Sequence, residues 1–550
     1  MRAGILLADG DDDRRALLLE VLGRRYGVDY EVVGVATSDD ALAWCASLRD
    51  QGRQVALVIA SPTLGPLSGI DCLARVREHD RDPRLLLVLP WGALDDTQPL
   101  VDAVAHGRVD HFVVFTGMRE DENLHLAVTE LLAEHGRDHG PRFEPIRVVG
   151  DAWAPRSHEL RDLLTRNGLP FGFYPADSDE GRELLAAADV DGSRLPVVLL
   201  ADGRALVDPS NTEAARHIGA DLDLGDAPYD VTIVGAGPAG LAAAVYASSE
   251  GLRTLVVERE AIGGQAGTSS MIRNYLGFPR GISGGDLAMR AAYQAQLFGA
   301  RLAVVVEAAA LHPGAGVQTI TLGSGDRVLS RAVIIATGVT YRTLQGEGLD
   351  RLTGAGVYYG AAVSEAPSVT GDHVYIVGGG NSAGQAAVHL ARFADQVTLL
   401  VRRASLATTM SEYLITQLDR TPNIDVRNRT EVIRCDGVQH LTQLTLRDAA
   451  SGTIETVPAA GLFVLIGGRP RTGWLRDVVA CDPHGYVLTG ADAPAPADQR
   501  ARLPYETSVT GVFAVGDARH GSVKRVASAA GEGAVCISYV HQHIDAVAHP

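Results

Sequence analysis

The residues of this chain best placed to do chemistry are glycines. Gly235, Gly237 and Gly240 stand in a turn between a hydrophobic run, Val231–Val234, and an Ala/Leu-rich stretch. A second hydrophobic run, Thr254–Val257, follows and ends in Glu258. Strand, turn, helix and strand in that order form the setting in which a glycine turn cradles a pyrophosphate. Gly235 permits the tight turn, Gly237 lets the backbone approach the phosphates, and Gly240 lets helix and strand pack closely. Helix-start amides around Pro238 and Ala239 supply a partial positive charge. Glu258 sits where a carboxylate would hold a ribose hydroxyl. The design recurs over Val374–Arg403, with Gly378, Gly380 and Ala383 at the glycine-type positions and Asn381-Ser382 opening the helix. Its second strand ends in Arg402-Arg403 rather than an acid, and cations there would pair with a 2′-phosphate. The alternative for this pair is a solvated or salt-bridged surface. Two such folds in one chain, the second embedded in the first, imply two nucleotide cofactors.

The elements that must position these turns belong to a long, soluble-looking chain. At 550 residues it exceeds one core, and about 100–200 residues per domain predicts three to five domains. A formal net charge of −18 argues against sequence-independent nucleic-acid binding, which needs a basic surface. Five scattered cysteines, none in a CxxC pair, predict a reducing compartment and no disulfide framework. Cys435, Cys481 and Cys536 read as buried hydrophobes. The N-terminus lacks the apolar run of a signal peptide, and no stretch has the roughly 20 apolar residues of a membrane span. A cytoplasmic location is expected, with no membrane and no metal site.

Residues 1–135 alternate strand and helix patterns. Strands are expected at Gly4–Ala8, Glu31–Ala36, Ala56–Ala60, Leu85–Leu89 and His111–Phe115, with helices such as Arg14–Gly23 and Gly69–Glu78 between them. Five-fold β/α alternation implies a doubly wound parallel sheet. The order of features resembles a response-regulator receiver domain, with Asp9 and Asp11 after the first strand. In that alignment Ser61 takes the phosphoacceptor position and Val114 the lysine position, so the region reads as a pseudo-receiver serving packing or signal input. The acid run Asp9–Asp13 reads as a solvated loop rather than a cation site. After a polar linker at 136–144, residues 145–218 resemble a small glutaredoxin/thioredoxin-like domain. Pro196 stands where that family has a cis proline. Trp153-Ala154-Pro155-Arg156-Ser157 replaces its CPxC motif, and without a thiolate dithiol exchange is excluded there. A docking or spacer role remains.

From the connector at 219–228 onward the resemblance is to thioredoxin-reductase-type flavoproteins with two nucleotide-binding domains. It rests on Gly263-Gly264-Gln265, Asn274–Pro279, Ala336-Thr337-Gly338, FVLIGGRP at 463–470, Gly511–Asp517 including Gly516, and Lys524-Arg525-Val526. The resemblance implies an FAD-binding domain over 228–344 and 464–550, with an NAD(P)H-binding domain at 345–463. It also implies that Gln265, Asn274 and Asp517 hydrogen-bond the flavin, and that helix-start amides near Val526 face its pyrimidine. Lys524, the chain's sole lysine, falls beside that site. Arg402-Arg403 favour NADPH, but the family's HRRxxxR pattern is broken here by Val401 and Ala407, so NADH stays open.

The decisive departure is the family's CxxC, replaced by Gly360-Ala361-Ala362-Val363. The whole chain resembles the fused response regulator/thioredoxin-disulfide reductase type of bacterial protein, with its thiol and phosphoryl centres lost. The expected fold class is α/β: a receiver-like domain, a degenerate glutaredoxin-like domain and two nested Rossmann-like domains. The expected activity is FAD-dependent NAD(P)H oxidation, with hydride passing to the flavin and on to an unidentified small-molecule or protein acceptor. One alternative is a redox sensor binding both nucleotides with little turnover; a less favoured one is disulfide reduction using a partner's thiols. A homodimer and a signalling partner at the receiver-like domain complete the expectations. His541 and His543 read as part of a frayed C-terminal segment.

Overall fold

The computed structural model describes residues 2–548 except 66, 81, 91–99, 101–102, 104–107, 116, 119–120, 139–143, 219–223, 226, 279–280, 361–364 and 495–500. Ala361, Ala362, Val363, Pro279 and parts of the two expected linkers therefore lie outside the described residues. The chain forms two compact units, residues 1–143 with 411–424, and residues 144–410 with 425–550.

In the first unit the strands are β1 (Gly4–Ala8), β2 (Glu31–Val35), β3 (Val55–Ala60), β4 (Arg84–Pro90) and β5 (His111–Phe115). The helices are α1 (Asp12–Tyr26), α2 (Ser38–Asp50), α3 (Gly69–His79) and α4 (Glu122–Asp138). All strand pairs are parallel, in the order β2-β1-β3-β4-β5. Alternate residues of β1 serve opposite faces. Ile5 and Leu7 pack with α1 and α4, while Leu6 and Ala8 pack with α2 and α3. Burying both faces is why β1 reads as a continuous apolar run, each full-size side chain contributing about 1.5–3 kcal/mol. Helix α1 is capped by the Asp11 carboxylate, which accepts from the Arg14 amide; Asp12 and Asp13 open it and Arg24 and Arg25 close it, matching its dipole. Helix α4 continues to Asp138, into the stretch expected to be a linker.

The acid run corrects a second expectation. Asp9 is fully buried rather than solvated. Its carboxylate takes a two-pronged contact from Arg14, at 2.6 and 2.8 Å, and the Ser61 hydroxyl also donates to it. The charge is neutralised from within the chain by a guanidinium one helical turn beyond the cap.

The second unit begins with a four-stranded sheet: β6 (Ile146–Gly150), β7 (Phe171–Pro175), β8 (Val197–Leu200) and β9 (Ala205–Val207), in the order β9-β8-β6-β7. Helices α5 (Pro155–Arg166), α6 (Asp179–Ala187) and α7 (Asn211–Ile218) accompany it, and the Leu195-Pro196 peptide is cis. Next come β10 (Tyr229–Val234), α8 (Pro238–Ser249), β11 (Thr254–Glu258), α9 (Gly284–Leu297), β12 (Arg301–Val304) and β13 (Arg327–Ile335). These form a parallel sheet β12-β11-β10-β13, extended by a hairpin, Ala308–His312 with Gln318–Leu322, on one half of the β13 edge. A second nucleotide-type sheet is inserted: β14 (Val357–Tyr359), β15 (His373–Val377), α10 (Asn381–Leu390), β16 (Gln396–Val401), β17 (Ile424–Asn428) and β18 (Gly461–Val464), in the order β14-β18-β15-β16-β17. The chain then returns through β19 (Val512–Ala514), which pairs with the free half of β13. Helix α11 (Val526–Ala548) packs on α8 in a shared core of Ala239, Ala243, Cys536, Ile537 and Val540.

Helix α11 overturns the frayed-terminus expectation. His543 is buried with its Nε2 facing the Arg331 carbonyl at 3.3 Å, and His541 pairs with Glu250 at 2.9 Å. Cys481 likewise departs from the buried-hydrophobe reading, being exposed, whereas Cys435 and Cys536 are buried. No helix among the described residues is long and apolar enough to cross a membrane. None of the described His, Cys, Asp and Glu residues group in threes able to hold a metal.

Candidate nucleotide site

The glycine turn after β10 is shaped by sterics on one side and left open on the other. Gly235 has φ +113°, and a Cβ there would lie 2.3 Å from the Ala336 carbonyl. A Cβ on Gly237, by contrast, would meet nothing within 4 Å. It would project into a cavity of about 530 Å³ that Gly237, Pro238 and Ala239 line. Helix α8 starts with Pro238 at its first turn and has no side-chain cap, so its leading amides are left for a ligand.

The cavity gathers most of the expected flavin residues: Gly237, Pro238, Ala239, Glu258, Gly264, Gln265, Ala336, Thr337, Gly338, Asp517, Lys524, Arg525 and Val526. Gly235, Gly240 and Gly516 support it from behind; a Gly240 Cβ would sit 1.8 Å from the Gly235 carbonyl oxygen. Asn274 is exposed and is not part of the lining. Of the second fingerprint only Ser382 reaches the cavity, from α10 together with Gln385 and Ala386. Gly378, Gly380, Asn381 and Ala383 form the start of α10, which also lacks a side-chain cap. Arg402 and Arg403 are exposed just past the end of β16.

Glu258 is buried, and its two oxygens accept from the Ala236 and Glu260 amides at 2.8 Å each. Those bonds hold the turn while the carboxylate lines the cavity; an ionised carboxylate has about four acceptor directions, so capacity for a ribose hydroxyl is retained. Beside it Glu260 pairs with Arg259 at 2.6 Å, Arg471 at 2.9 Å and Arg166 at 3.4 Å. Burial opposes its ionisation, but Arg471, Arg259 and Arg166 outweigh that and bring its pKa down to about 2. At the other end Lys524 Nζ donates to the Asp517 carbonyl at 2.7 Å and lies 4.6 Å from the Tyr486 ring centre. Burial lowers the Lys524 pKa and raises that of Asp517.

Of the four residues at the expected dithiol position, only Gly360 is among those described. Gly360 lines the cavity with φ +82°, and a Cβ there would meet the Tyr341 ring carbons at 2.6 and 2.7 Å and its hydroxyl oxygen at 2.8 Å. The Tyr341 hydroxyl lies 3.1 Å from Thr268 Oγ1, and burial raises its pKa. Sequence reasoning missed Tyr341, Arg166, Glu260 and Arg471. Two of them follow recognised motifs closely, Tyr341 after Ala336-Thr337-Gly338 and Arg471 after FVLIGGRP; Arg166 carries no local signal.

Four residues of this lining each keep a buried side-chain atom with no hydrogen-bond partner: Gln265 Nε2, Thr337 Oγ1, Arg166 Nε and Arg471 Nε. Buried polar atoms normally find partners, so together with the open cradle at Gly237 they fit a large, oxygen-rich nucleotide such as FAD.

Residues 229–533 match the family model described as pyridine nucleotide-disulphide oxidoreductase. A thioredoxin reductase of Treponema pallidum is 35% identical over 317 residues, covering 58% of this chain and 97% of its own. A bifunctional thioredoxin reductase/thioredoxin of Mycobacterium leprae is 34% identical over 306 residues, covering 56% of this chain; the match spans 63% of that protein. Among solved structures, T. acidophilum thioredoxin reductase aligns with a TM-score of 0.53 at 28% identity, over 58% of this chain and all of that one.

Proposed function

This chain belongs to the pyridine nucleotide-disulphide oxidoreductase family, and from that premise we propose that it is a thioredoxin-reductase-like, FAD-dependent NADPH oxidoreductase whose acceptor is not a dithiol of its own. The single observation carrying the second half is Gly360: the slot where the side chain would project is filled by the Tyr341 ring, beside an otherwise complete nucleotide cavity. FAD, when bound, supplies two-electron chemistry with the nicotinamide donor. The protein's part is binding, orientation and electrostatics. The α8 amides and the open face at Gly237 hold the pyrophosphate, and Glu258 holds the ribose. Gln265, Thr337 and Asp517 bind the remainder, and the Lys524 charge together with amides near Val526 favours negative charge at the flavin ring. Gly378, Gly380 and Asn381 with the uncapped α10 take the nicotinamide nucleotide, and Arg402 and Arg403 its 2′-phosphate. Ser382 on the same helix lines the cavity, which supports a donor domain next to the flavin site.

The described domains support 1–135 as a pseudo-receiver. Its strand order is that of doubly wound sheets of the receiver type, with Ser61 in the acceptor position and Arg14 already seated on Asp9. Residues 145–218 serve as a thiol-free glutaredoxin-like module. A homodimer, a protein or small-molecule acceptor, and a cytoplasmic setting complete the proposal.

The test is an anaerobic NADPH titration followed by an acceptor screen. One equivalent bleaches the flavin absorbance, and turnover resumes with a quinone, O₂ or metal-complex acceptor but not with thioredoxin alone. A well-folded protein without flavin absorbance, or rapid thioredoxin reduction by the protein alone, refutes it. The sensor reading is favoured by the self-neutralised Asp9 pocket. It predicts a single stoichiometric reduction with no acceptor supporting turnover.

A further inference from the structure

The matched family region starts at residue 229, yet the thiol-free module before it reaches into the flavin cavity. Helix α5 is 12 residues long, about 18 Å at 1.5 Å per residue, and it touches both nucleotide domains. At its C-terminal end Arg166 lines the cavity and pairs with Glu260 at 3.4 Å. Asn167, the next residue, bonds the Glu260 carbonyl and the Ile262 amide at 3.4 Å each. About two turns earlier, His158 Nδ1 and Arg161 grip Glu365 at 2.7 and 3.1 Å. Glu365 is completely buried and lies in the segment leading to β15.

A fully buried carboxylate is expensive unless its charge is matched. The Arg161 guanidinium that matches Glu365 and the His158 ring bonded to it both come from the module, so the module is integral to the second nucleotide domain and not an appended bead. At the other end, Arg166 and Arg471 line the cavity, and each keeps a buried Nε without a partner. The Arg166 guanidinium spends Nη1 on Asp162 and Glu260 and Nη2 on the Gly264 carbonyl, and its unmet Nε–H is donor capacity left over for a ligand acceptor.

We infer that Arg166 is a cofactor-holding residue, contributed from outside the flavoprotein region, and that the thiol-free module is the wall that retains FAD, clasped in place through Glu365. This rests on the cavity being the flavin site. The module has lost thiol chemistry but kept its dock, and its surviving task is cofactor retention.

The experiment measures FAD dissociation from the full-length holoprotein, followed as flavin fluorescence gained on dilution into an excess of a flavin-scavenging apoprotein. Arg166→Gln, which keeps bulk without charge, releases FAD at least about tenfold faster than wild type, and Arg166→Lys recovers part of the loss. Glu365→Gln, at a residue that is not part of the cavity lining, also accelerates release several-fold, and it speeds hydrogen exchange across 155–166. Arg156→Ala, whose partners Glu159, Asn211 and Pro209 lie inside the module, leaves release unchanged. Release from Arg166→Gln within twofold of wild type overturns the assignment of Arg166. Release from Glu365→Gln equal to wild type overturns the clasp. Wild-type protein that binds no FAD instead refutes the flavin reading, a distinct result.

Discussion

Putting a side chain back at Gly360 is the sharpest perturbation this site allows. The backbone there is left-handed at φ +82°, which costs a non-glycine residue about 1–3 kcal/mol. The new Cβ would stand 2.6 Å from Tyr341 Cε2, 2.7 Å from Cζ and 2.8 Å from the hydroxyl oxygen. The ring is held by Thr268 and cannot swing without breaking that contact. Overpacking of this kind costs about 1–3 kcal/mol. Gly360→Ala is therefore expected to destabilise the second unit by about 2–6 kcal/mol, read as a lower urea midpoint by tryptophan fluorescence. In a Tyr341→Ala background the overlap is gone, and the same substitution should cost only the backbone part. The double-mutant cycle then yields a coupling of about 1–3 kcal/mol. An identical cost in both backgrounds refutes the claim that Tyr341 occupies the slot. Gly360→Cys carries the same penalty, and a single thiol with no second cysteine beside it does not reinstate a dithiol outlet for electrons.

Two further outcomes follow from the charges. Arg402→Ala/Arg403→Ala should raise the KM for NADPH about tenfold while leaving that for NADH within twofold; equal effects on both nucleotides would assign the pair to the surface. Glu260 has a folded pKa near 2, below its ordinary 4.5, so its contribution is complete above pH 4.5 and is lost as pH falls through 2. Acid titration of the native protein by circular dichroism should show a component in that window that disappears in Glu260→Gln, and a component centred above pH 4.5 would contradict the arginine network.

Much of the architecture was legible because it lies in local patterns. The strands of the first unit, the two glycine turns and the Leu195-Pro196 segment are short-range signals, and Gly235 and Gly237 differ in the structure just as a turn glycine and a ligand-facing glycine should. What escaped depends on pairs distant in sequence or on burial. The Asp9–Asp13 run looks like a solvated loop because nothing in its composition says that Arg14 folds back onto Asp9 while Ser61 approaches from another strand. Arg166 and Glu260 are 94 positions apart, and neither stands in a motif. The histidines near the C-terminus looked frayed because a terminus is mobile by default; α11 is pinned by its packing against α8. Asn274 fits a family segment by residue type, but the backbone carries it to the surface.

The arrangement of thiols has a practical side. Burial pushes Cys45 and Cys435 up to about 12 and Cys72 to about 11, and raises the fully buried Cys536 as well. Cys481 alone is exposed. Thiolate character and access both govern attack by oxidants and alkylating reagents. Among the five cysteines such reagents meet a single reachable thiol. The native chain thus already carries one addressable thiol for a spectroscopic label, and its four other cysteines are buried.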